Sequence, residues 1–385
     1  MEITLRPTFI IIFLLCITSL TGISATTTKD FNKSYKLYQK AVKENDVNAA
    51  LEHAETALIL SKNLYGDEHQ TTAVLTYNYA KAFYSVDASK FLSDQDAKQV
   101  FKHYDSALRA YEAAFGKDEL ELIDPLLDLA TIHFKQHDYT ETGFVYADRA
   151  LTISEKHPQA PDLLDADLAA EIGRALTNNF QNKRATEYLR RAYIKYKDNH
   201  PENSKPLIYN TFWLAKNLYD LNEFEEAETL FVHVFNLLEK NKLETSQLAQ
   251  TAASVLVRMY ERQKQRKSAD RFSQAIGKAN PWKENTSPRA LYLSKPKWPR
   301  LAHKLKKDGY IRVYFTVDKY GYVKDPYILE DYGYKGFKKT AIDHILLSRF
   351  TPKYHEGEFH ENTVTYDLQF TTGDTVKGKP VRNFY

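Results

Sequence analysis

The stretch Gly309-Tyr-Ile-Arg-Val-Tyr-Phe-Thr-Val-Asp-Lys-Tyr-Gly-Tyr-Val323 decides how the C-terminal part of this chain is read. Ile311, Val313, Phe315 and Val317 alternate with Tyr310, Arg312, Tyr314 and Thr316. A period of two sets one apolar row against a core and leaves the other row facing out. Asp318-Lys319-Tyr320-Gly321 supplies turn chemistry, with the glycine free to take positive φ, and the run from Tyr322 to Leu329 starts a second strand. The stretch therefore predicts a β-hairpin.

Outward from the hairpin, Lys297-Trp-Pro299 precedes Leu301, Ala302 and Leu305, which suggest a short helix. Gly333 and Gly336 punctuate the chain before a helix whose Phe337, Ala341, Ile342, Ile345 and Leu346 share a face, closed by Phe350-Thr-Pro352. In the last strand Thr363, Thr365, Asp367 and Gln369 alternate with Val364, Tyr366, Leu368 and Phe370. Short helix, two strands, helix and strand make a small α+β sandwich with one helical layer on an antiparallel sheet. Its bounds are read as 297–371, after a Pro-containing linker at 279–296 and before a polar tail at 372–385.

Everything upstream is helical and repetitive. Gly143, Ala185, Ala227 and Ala269 are each 42 residues apart. The same step relates Ala130, Ile172, Leu214 and Leu256, then Phe134, Leu176, Leu218 and Tyr260, then Ala150, Ala192, Val234 and Ile276. Apolar residues recur at helical spacing on both sides of a polar break such as Gln136–Asp138, Asn178–Asn182 or Asp220–Asn222, so each unit is a helical hairpin. Less regular units continue upstream, through Leu37, Ala41, Ala50, Ala54 and Ala57-Leu58, then Tyr79, Ala80, Phe83, Phe101, Ala107-Leu108 and Ala114. A longer connection interrupts the second of these near Ser85–Asp96. Six helical pairs are expected between about Lys29 and Lys278. The fold class is mainly α with a terminal α+β domain: an α-solenoid of hairpins, each burying on its neighbours what it cannot bury alone.

A chain of 385 residues accommodates this plan, and 43% hydrophobic with 27% charged residues excludes wholesale disorder. Net charge is +3, too small to imply nucleic-acid binding. From Ser287 onward 18 Lys and Arg face 11 Asp and Glu, which leaves the helical part mildly acidic. At the start Arg6, the apolar run Phe9–Ile17 and the small residues of Gly22–Ala25 read as a signal peptide over 1–25, cut after Ser24 or Ala25, with retention as a membrane anchor the alternative. The only cysteine, Cys16, lies inside that segment, so a mature chain has neither disulfide nor thiol chemistry.

Chemistry-bearing motifs are sparse. His355-Glu-Gly-Glu-Phe-His360 fits no helical zinc spacing and reads as a solvated loop. A Gly-rich phosphate loop, a nucleophile elbow and a Ser/His/Asp pattern in a suitable context are missing, so neither catalysis nor a cofactor nor a metal is expected. Two residues beyond the Ile172/Leu214/Leu256 column stand Arg174, Lys216 and Arg258, again 42 apart. That ladder of cations can hold an acidic peptide or a terminal carboxylate, or can simply solvate an exposed helix face.

The helical columns resemble the tetratricopeptide repeat in its longer variant, carried by Leu214-Ala215, Leu218, Phe224, Ala227, Phe231 and Val234 and by Ile172-Gly173, Leu176, Ala185 and Ala192. The connections Leu64–His69 and Phe115–Asp118 are similar to that variant as well. The resemblance implies a surface for peptides or partner domains on the first helix of each pair. The terminal stretch resembles the C-terminal domain of TonB, the energy transducer of Gram-negative envelopes. The aromatic-Pro pair Trp298-Pro299 with Ala302, the strand opened by Gly309, the turn Gly321 two residues before Val323, the helix centred on Ala341, and Phe350 with Pro352 carry it. Trp298 stands where that family usually has Tyr, and Ser348 where it often has Trp.

This second resemblance implies strand addition of an extended receptor segment beside the last strand. The edge is placed on Asn362–Phe370, with Trp298, Pro299, Thr363, Thr365, Asp367 and Gln369 as partner-binding residues; the alternative is an edge covered by the tail or by a dimer partner. The partners implied are proteins or extended peptides, outer-membrane TonB-dependent receptors among them, with no nucleic acid. Membrane contact would come only through an uncleaved N-terminal segment. Such a protein would be periplasmic, or inner-membrane anchored and facing the periplasm. A Pro-rich spacer is missing, and the helical array stands in its place. A role in TonB-dependent transport and a role as a non-transducing envelope scaffold are both open.

Overall fold

The computed structural model describes residues 25–87, 93–136, 140–283, 287–371 and 375–381. The segment 1–25 read as a signal peptide lies outside them, apart from Ala25, which opens the first helix. Contacts divide the chain after Pro161 into two compact units.

The first unit holds three helical hairpins: α1 (Ala25–Lys43) with α2 (Val47–Tyr65), α3 (Gln70–Asp87) with α4 (Asp94–Phe115), and α5 (Ile123–Phe134) with α6 (Thr140–Lys156). Asp46 caps α2 by accepting from the Ala49 amide, and Ser93 caps α4 through the Asp96 amide. Ala54, Ala57, Ala73 and Ala80 are wholly buried, the small residues through which helices approach closely. At Gly143 an added Cβ would lie 2.8 Å from the Phe134 ring, which leaves no room there for the alanine found in the other three repeats.

The second unit repeats the plan with α7 (Leu164–Asn178), α8 (Asn182–Asn199), α9 (Lys205–Asp220), α10 (Phe224–Lys240), α11 (Gln247–Arg262) and α12 (Asp270–Ala279). The expected six pairs are therefore present among the described residues. Every residue of the four 42-residue columns is buried. The turns repeat too: Phe180, Asn222 and Lys264 share a left-handed φ of 61°, 66° and 62°. Between α7, α8 and α9 the buried Asn217 donates to the Thr186 hydroxyl at 2.7 Å and to the Asn182 carbonyl at 2.9 Å, and accepts from the Thr177 hydroxyl. A satisfied polar network of this kind fixes the stacking register of the hairpins.

The terminal domain follows within the same unit. Strands β2 (Gly309–Val317), β3 (Val323–Gly333), β7 (Asn362–Thr371) and β8 (Thr375–Val381) form an antiparallel sheet in the order β3-β2-β7-β8. The hairpin turn is as expected. Asp318 Oδ1 accepts from the amides of Tyr320 and Tyr322, and Gly321 takes φ 90°. Ile311, Val313, Phe315 and Val317 on β2, with Val364, Tyr366, Leu368 and Phe370 on β7, meet Phe337, Ala341 and Ile345 of α14 (Gly336–Leu346). Gly309 is required for this layer, because a Cβ there would stand 2.4 Å from the Phe337 ring. The short helix α13 (Arg300–Lys304) contributes Ala302.

Three boundaries differ from the sequence reading. Residues 290–292 form β1, paired with β4 (Arg349–Phe350), so the 279–296 segment is partly built into the domain instead of being a free linker. Part of the 372–385 tail is strand β8. The His355–His360 segment belongs to a small hairpin of β5 (Lys353–His355) and β6 (Glu358–His360), turned by Glu356 and Gly357 at positive φ.

Candidate docking surfaces

Among the described residues the sheet offers two edges, and Asn362–Phe370 is neither of them; the alternative, a strand covered by the tail, is what stands there. Nine residues of β7 pair with β2 on one side, and Thr365–Thr371 pair with β8 on the other. The Asn362–Phe370 strand is thus interior, because the chain continues past Thr371 and folds back along it. The free edges are β3 and β8. On β3 the register slips twice, Asp325 has φ 48°, and Pro326 lacks an N–H, three devices that blunt an edge against regular pairing. The outer side of this end of the sheet exposes Tyr327, Leu329 and Tyr332.

The residues assigned to docking divide accordingly. Thr363 and Gln369 lie exposed on the outer face. Thr365 is buried, as is Asp367, whose carboxylate accepts from the Tyr310 hydroxyl at 2.7 Å and from Arg312 Nε at 2.8 Å. Burial and then this carboxylate push the Tyr310 phenol up to about 12, while the same bond raises the Arg312 guanidinium. Asp367 is thereby committed to its own sheet. Trp298 packs edge-on against Phe337 and Phe370 at ring distances of 5.4 and 5.6 Å, closing the core, and Pro299 caps α13. Trp298 thereby supports the end of β7.

On the helical face, Arg174, Lys216 and Arg258 sit at equivalent places on α7, α9 and α11. Arg174 lies 5.6 Å from the Tyr209 ring centre, and Lys216 lies 5.7 Å from that of Trp213 while pairing with Asp220 at 3.0 Å. Arg258 is exposed and donates to the Ser254 carbonyl. Tyr209 and Trp213 were not singled out in the sequence. With the cations they turn a plain charge ladder into a mixed aromatic and basic strip.

A further constellation was missed in the sequence. Arg349, at 0% exposure, donates Nη1 to Glu261 Oε1 at 3.0 Å and Nη2 to Asp270 Oδ1 and, at 3.1 Å, to Ser273 Oγ. Its guanidinium stacks 3.8 Å from the centre of the Tyr322 ring, and Tyr322 donates its hydroxyl to Asp270. Arg266 pairs with the second Glu261 oxygen at 2.8 Å and reaches the Leu346 and Ser348 carbonyls. Burial raises the Glu261 carboxyl, against the pull of Arg266 and Arg349. Nearby the Ser273 hydroxyl donates to the Tyr320 carbonyl, and Gly277 lies so close to Pro352 that a Cβ would meet its carbonyl oxygen at 2.8 Å. Ser348 donates to the His344 carbonyl and accepts from the Ser294 amide. Two cations and two carboxylates from α11, the turn after it, α12 and the terminal domain thus close a neutral seam with Arg349 and Glu261 buried at its centre.

Residues 294–372 match the family model described as Gram-negative bacterial TonB protein C-terminal. The terminal α+β domain is therefore a TonB C-terminal domain, and the chain is a protein of TPR-like helical repeats ending in one. No curated protein matches the chain. Among solved structures, the nearly identical TPR-like repeats of a Podosopora anserina protein described as a kinesin light chain align at 13% identity and TM-score 0.48, over 57% of this chain and 99% of that one. BtubC (BKLC) from P. vanneervenii aligns at 14% and 0.38 over 52% and 73%, and the apo form of RapI at 16% and 0.39 over 66% and 76%. Likeness this loose carries no functional weight. The repeat reading stands on the chain's own 42-residue columns.

Among the described residues no helix is long and apolar enough to cross a membrane. Nor do those residues bring three or more His, Cys, Asp or Glu side chains together to hold a metal ion.

Proposed function

We propose that this protein is a periplasmic, non-catalytic adaptor of the Gram-negative envelope that docks extended segments of TonB-dependent outer-membrane receptors on its terminal sheet. The TPR-like array holds a second, acidic partner on the strip formed by Arg174, Tyr209, Trp213, Lys216 and Arg258. The observation that carries this reading is the match of the TonB C-terminal model to 294–372 on a domain whose sheet keeps strand pairing at its periphery. Work at the outer membrane is the service such a domain suggests, and the aromatic-basic strip suits carboxylate-rich peptides.

A second reading, a scaffold that docks without transducing energy, is favoured by the seam around Arg349. It fastens the domain directly to α11 and α12, where a transducer of this family would need a long reach. N-terminal sequencing of the native protein separates the two. A start near Ala25 or Thr26 removes a direct link to an inner-membrane motor, whereas a retained segment supports one. Capture of receptor segments by the purified chain tests docking itself; a panel of such segments that all fail to bind would overturn it.

A further inference from the structure

The fixed 42-residue step lets each repeat be compared with its neighbours position by position, and one repeat departs from the others on its exposed side. Phe180, in the turn between α7 and α8, is 84% exposed at a left-handed φ of 61°. The equivalent turns carry Asn222 and Lys264 at nearly the same φ. Asparagine suits that conformation and an aromatic side chain gains nothing from it, so neither the turn nor the core accounts for Phe180. Ile194 on α8 is 58% exposed, where the other repeats place Thr152, Asn236 and Lys278, all exposed. Lys183 and Lys197 stand where both flanking repeats have glutamate: Glu141 and Glu225 for the first, Glu155 and Glu239 for the second.

Lys183, Arg190, Ile194 and Lys197 follow the spacing of a single helix side. Ala185, Leu189, Ala192 and Tyr196 bury the opposite side. Along its length α8 carries Lys183, Arg184, Arg190, Arg191, Lys195 and Lys197 against Glu187 and Asp198. By contrast, α10 carries Glu225, Glu226, Glu228 and Glu239 against Lys240. Part of the α8 charge is committed inside the protein. Arg190 bonds both oxygens of Glu226, and Asp165 takes Arg191 and Lys195. Lys183 and Lys197 are exposed at either end of the side that holds Ile194, with Glu187 and Asp198 along its border.

We propose that this side of α8, with Phe180 at its start, is a docking surface for an anionic phospholipid bilayer. The choice of occupant rests on what is interleaved. Cations alone would suit any acidic protein. Two bulky apolar side chains held in water among them match an interface in which charged headgroups overlie acyl chains. The lysines bring the helix to the negative surface, and Phe180 and Ile194 enter the boundary between headgroups and chains. The lysine stems lie along the apolar layer while their ammonium groups stay among the phosphates. A bilayer on α8 leaves the strip on α7, α9 and α11 to a protein partner. This contact is additional to any made by the N-terminal segment, and it does not rest on receptor docking.

The apolar run near the N-terminus could hold the chain on vesicles by itself, so the readout is placed at the site. The full-length Ile194→Cys chain, in a Cys16→Ser background, is labelled with an environment-sensitive fluorophore. Vesicles of phosphatidylglycerol mixed with phosphatidylcholine should shift its emission to the blue, and vesicles of phosphatidylcholine alone should not. The same label at Asn236→Cys, the equivalent position of the next repeat, should stay unshifted. Lys183→Glu with Lys197→Glu should raise the lipid concentration needed for half the shift at least about tenfold. Phe180→Asn, which installs the residue of the matching turn, should raise it about tenfold. No blue shift on anionic vesicles, or an equal shift at Asn236 or on neutral vesicles, overturns the proposal. So does a lipid dependence indifferent to the charge reversal or to the loss of Phe180. Variants are compared at equal helix content by circular dichroism. Should the double glutamate variant not fold, Lys183→Gln with Lys197→Gln decides, with at least about fivefold weakening expected.

Discussion

The contacts inside the helical repeats and the seam that joins the last repeat to the terminal domain hold by opposite means. Within the repeats, Ala185, Ala192, Ala227 and Leu218 are wholly buried at a fixed 42-residue spacing, and packing of small apolar residues does the work. At the seam the largest wholly buried side chain is Arg349, held by two carboxylates, a hydroxyl and a tyrosine face. Apolar packing is forgiving and repeats easily. A buried ion pair tolerates neither the loss of one partner nor a shift of register, so it specifies one arrangement.

The contrast is sharpest if Arg349 is replaced. Arg349→Ala removes the guanidinium shared by Glu261 and Asp270, leaving them only Arg266 and Tyr322, and should cost about 3–5 kcal/mol by denaturant unfolding of the second unit. A loss under about 1 kcal/mol would show that the seam is packing like the rest. In the first unit, burial against Phe101, with stacked rings 3.9 Å apart, lowers the His133 imidazole to about 4. The folded state keeps this histidine neutral, so below about pH 6.5 the unfolded chain takes up the proton first. Stability should be complete above about pH 6.5 and fall by about 3 kcal/mol as pH drops to about 4. His133→Gln should remove that slope; an unchanged pH profile would reassign it.

Within the repeats, Gly173→Ala should cost about 1–3 kcal/mol, because a Cβ there would stand 2.6 Å from Leu189 Cγ. The smallest effect on folding belongs to the surface strip. Arg174→Glu with Lys216→Glu should change stability by no more than about 0.5 kcal/mol, while capture of an acidic partner in a pull-down is lost. Unchanged capture would make these residues solvating side chains only.

The same contrast explains what was legible in the sequence. Apolar period is local, so the 42-residue columns, the Gly309–Val323 hairpin and the α14 face could all be read directly. The seam is not local: Arg349 meets Glu261 across 88 residues and Asp270 across 79, with no periodicity to announce either. An arginine next to Phe350, in a domain otherwise closing its core there, was the one available hint. Strand β8 escaped because Gly378 and Pro380 break the alternation that marks a strand, and with it went the true position of the sheet edges. Asp367 and Trp298 were placed by the strand and the motif, but their contacts with Arg312 and Phe337 were not legible. Tyr209 and Trp213 were hidden among many other aromatics on amphipathic helices.

Gly277 carries one more consequence. A stack of hairpins ends in a raw apolar side that ordinarily needs a terminating element of its own. Here α12 lies so close to Pro352 that only a glycine fits, and the terminal domain itself serves as that terminator. Only α11 and α12 are tailored to it. The array's length can therefore drift over generations, or be altered by an engineer, upstream of α11 without disturbing the terminal sheet.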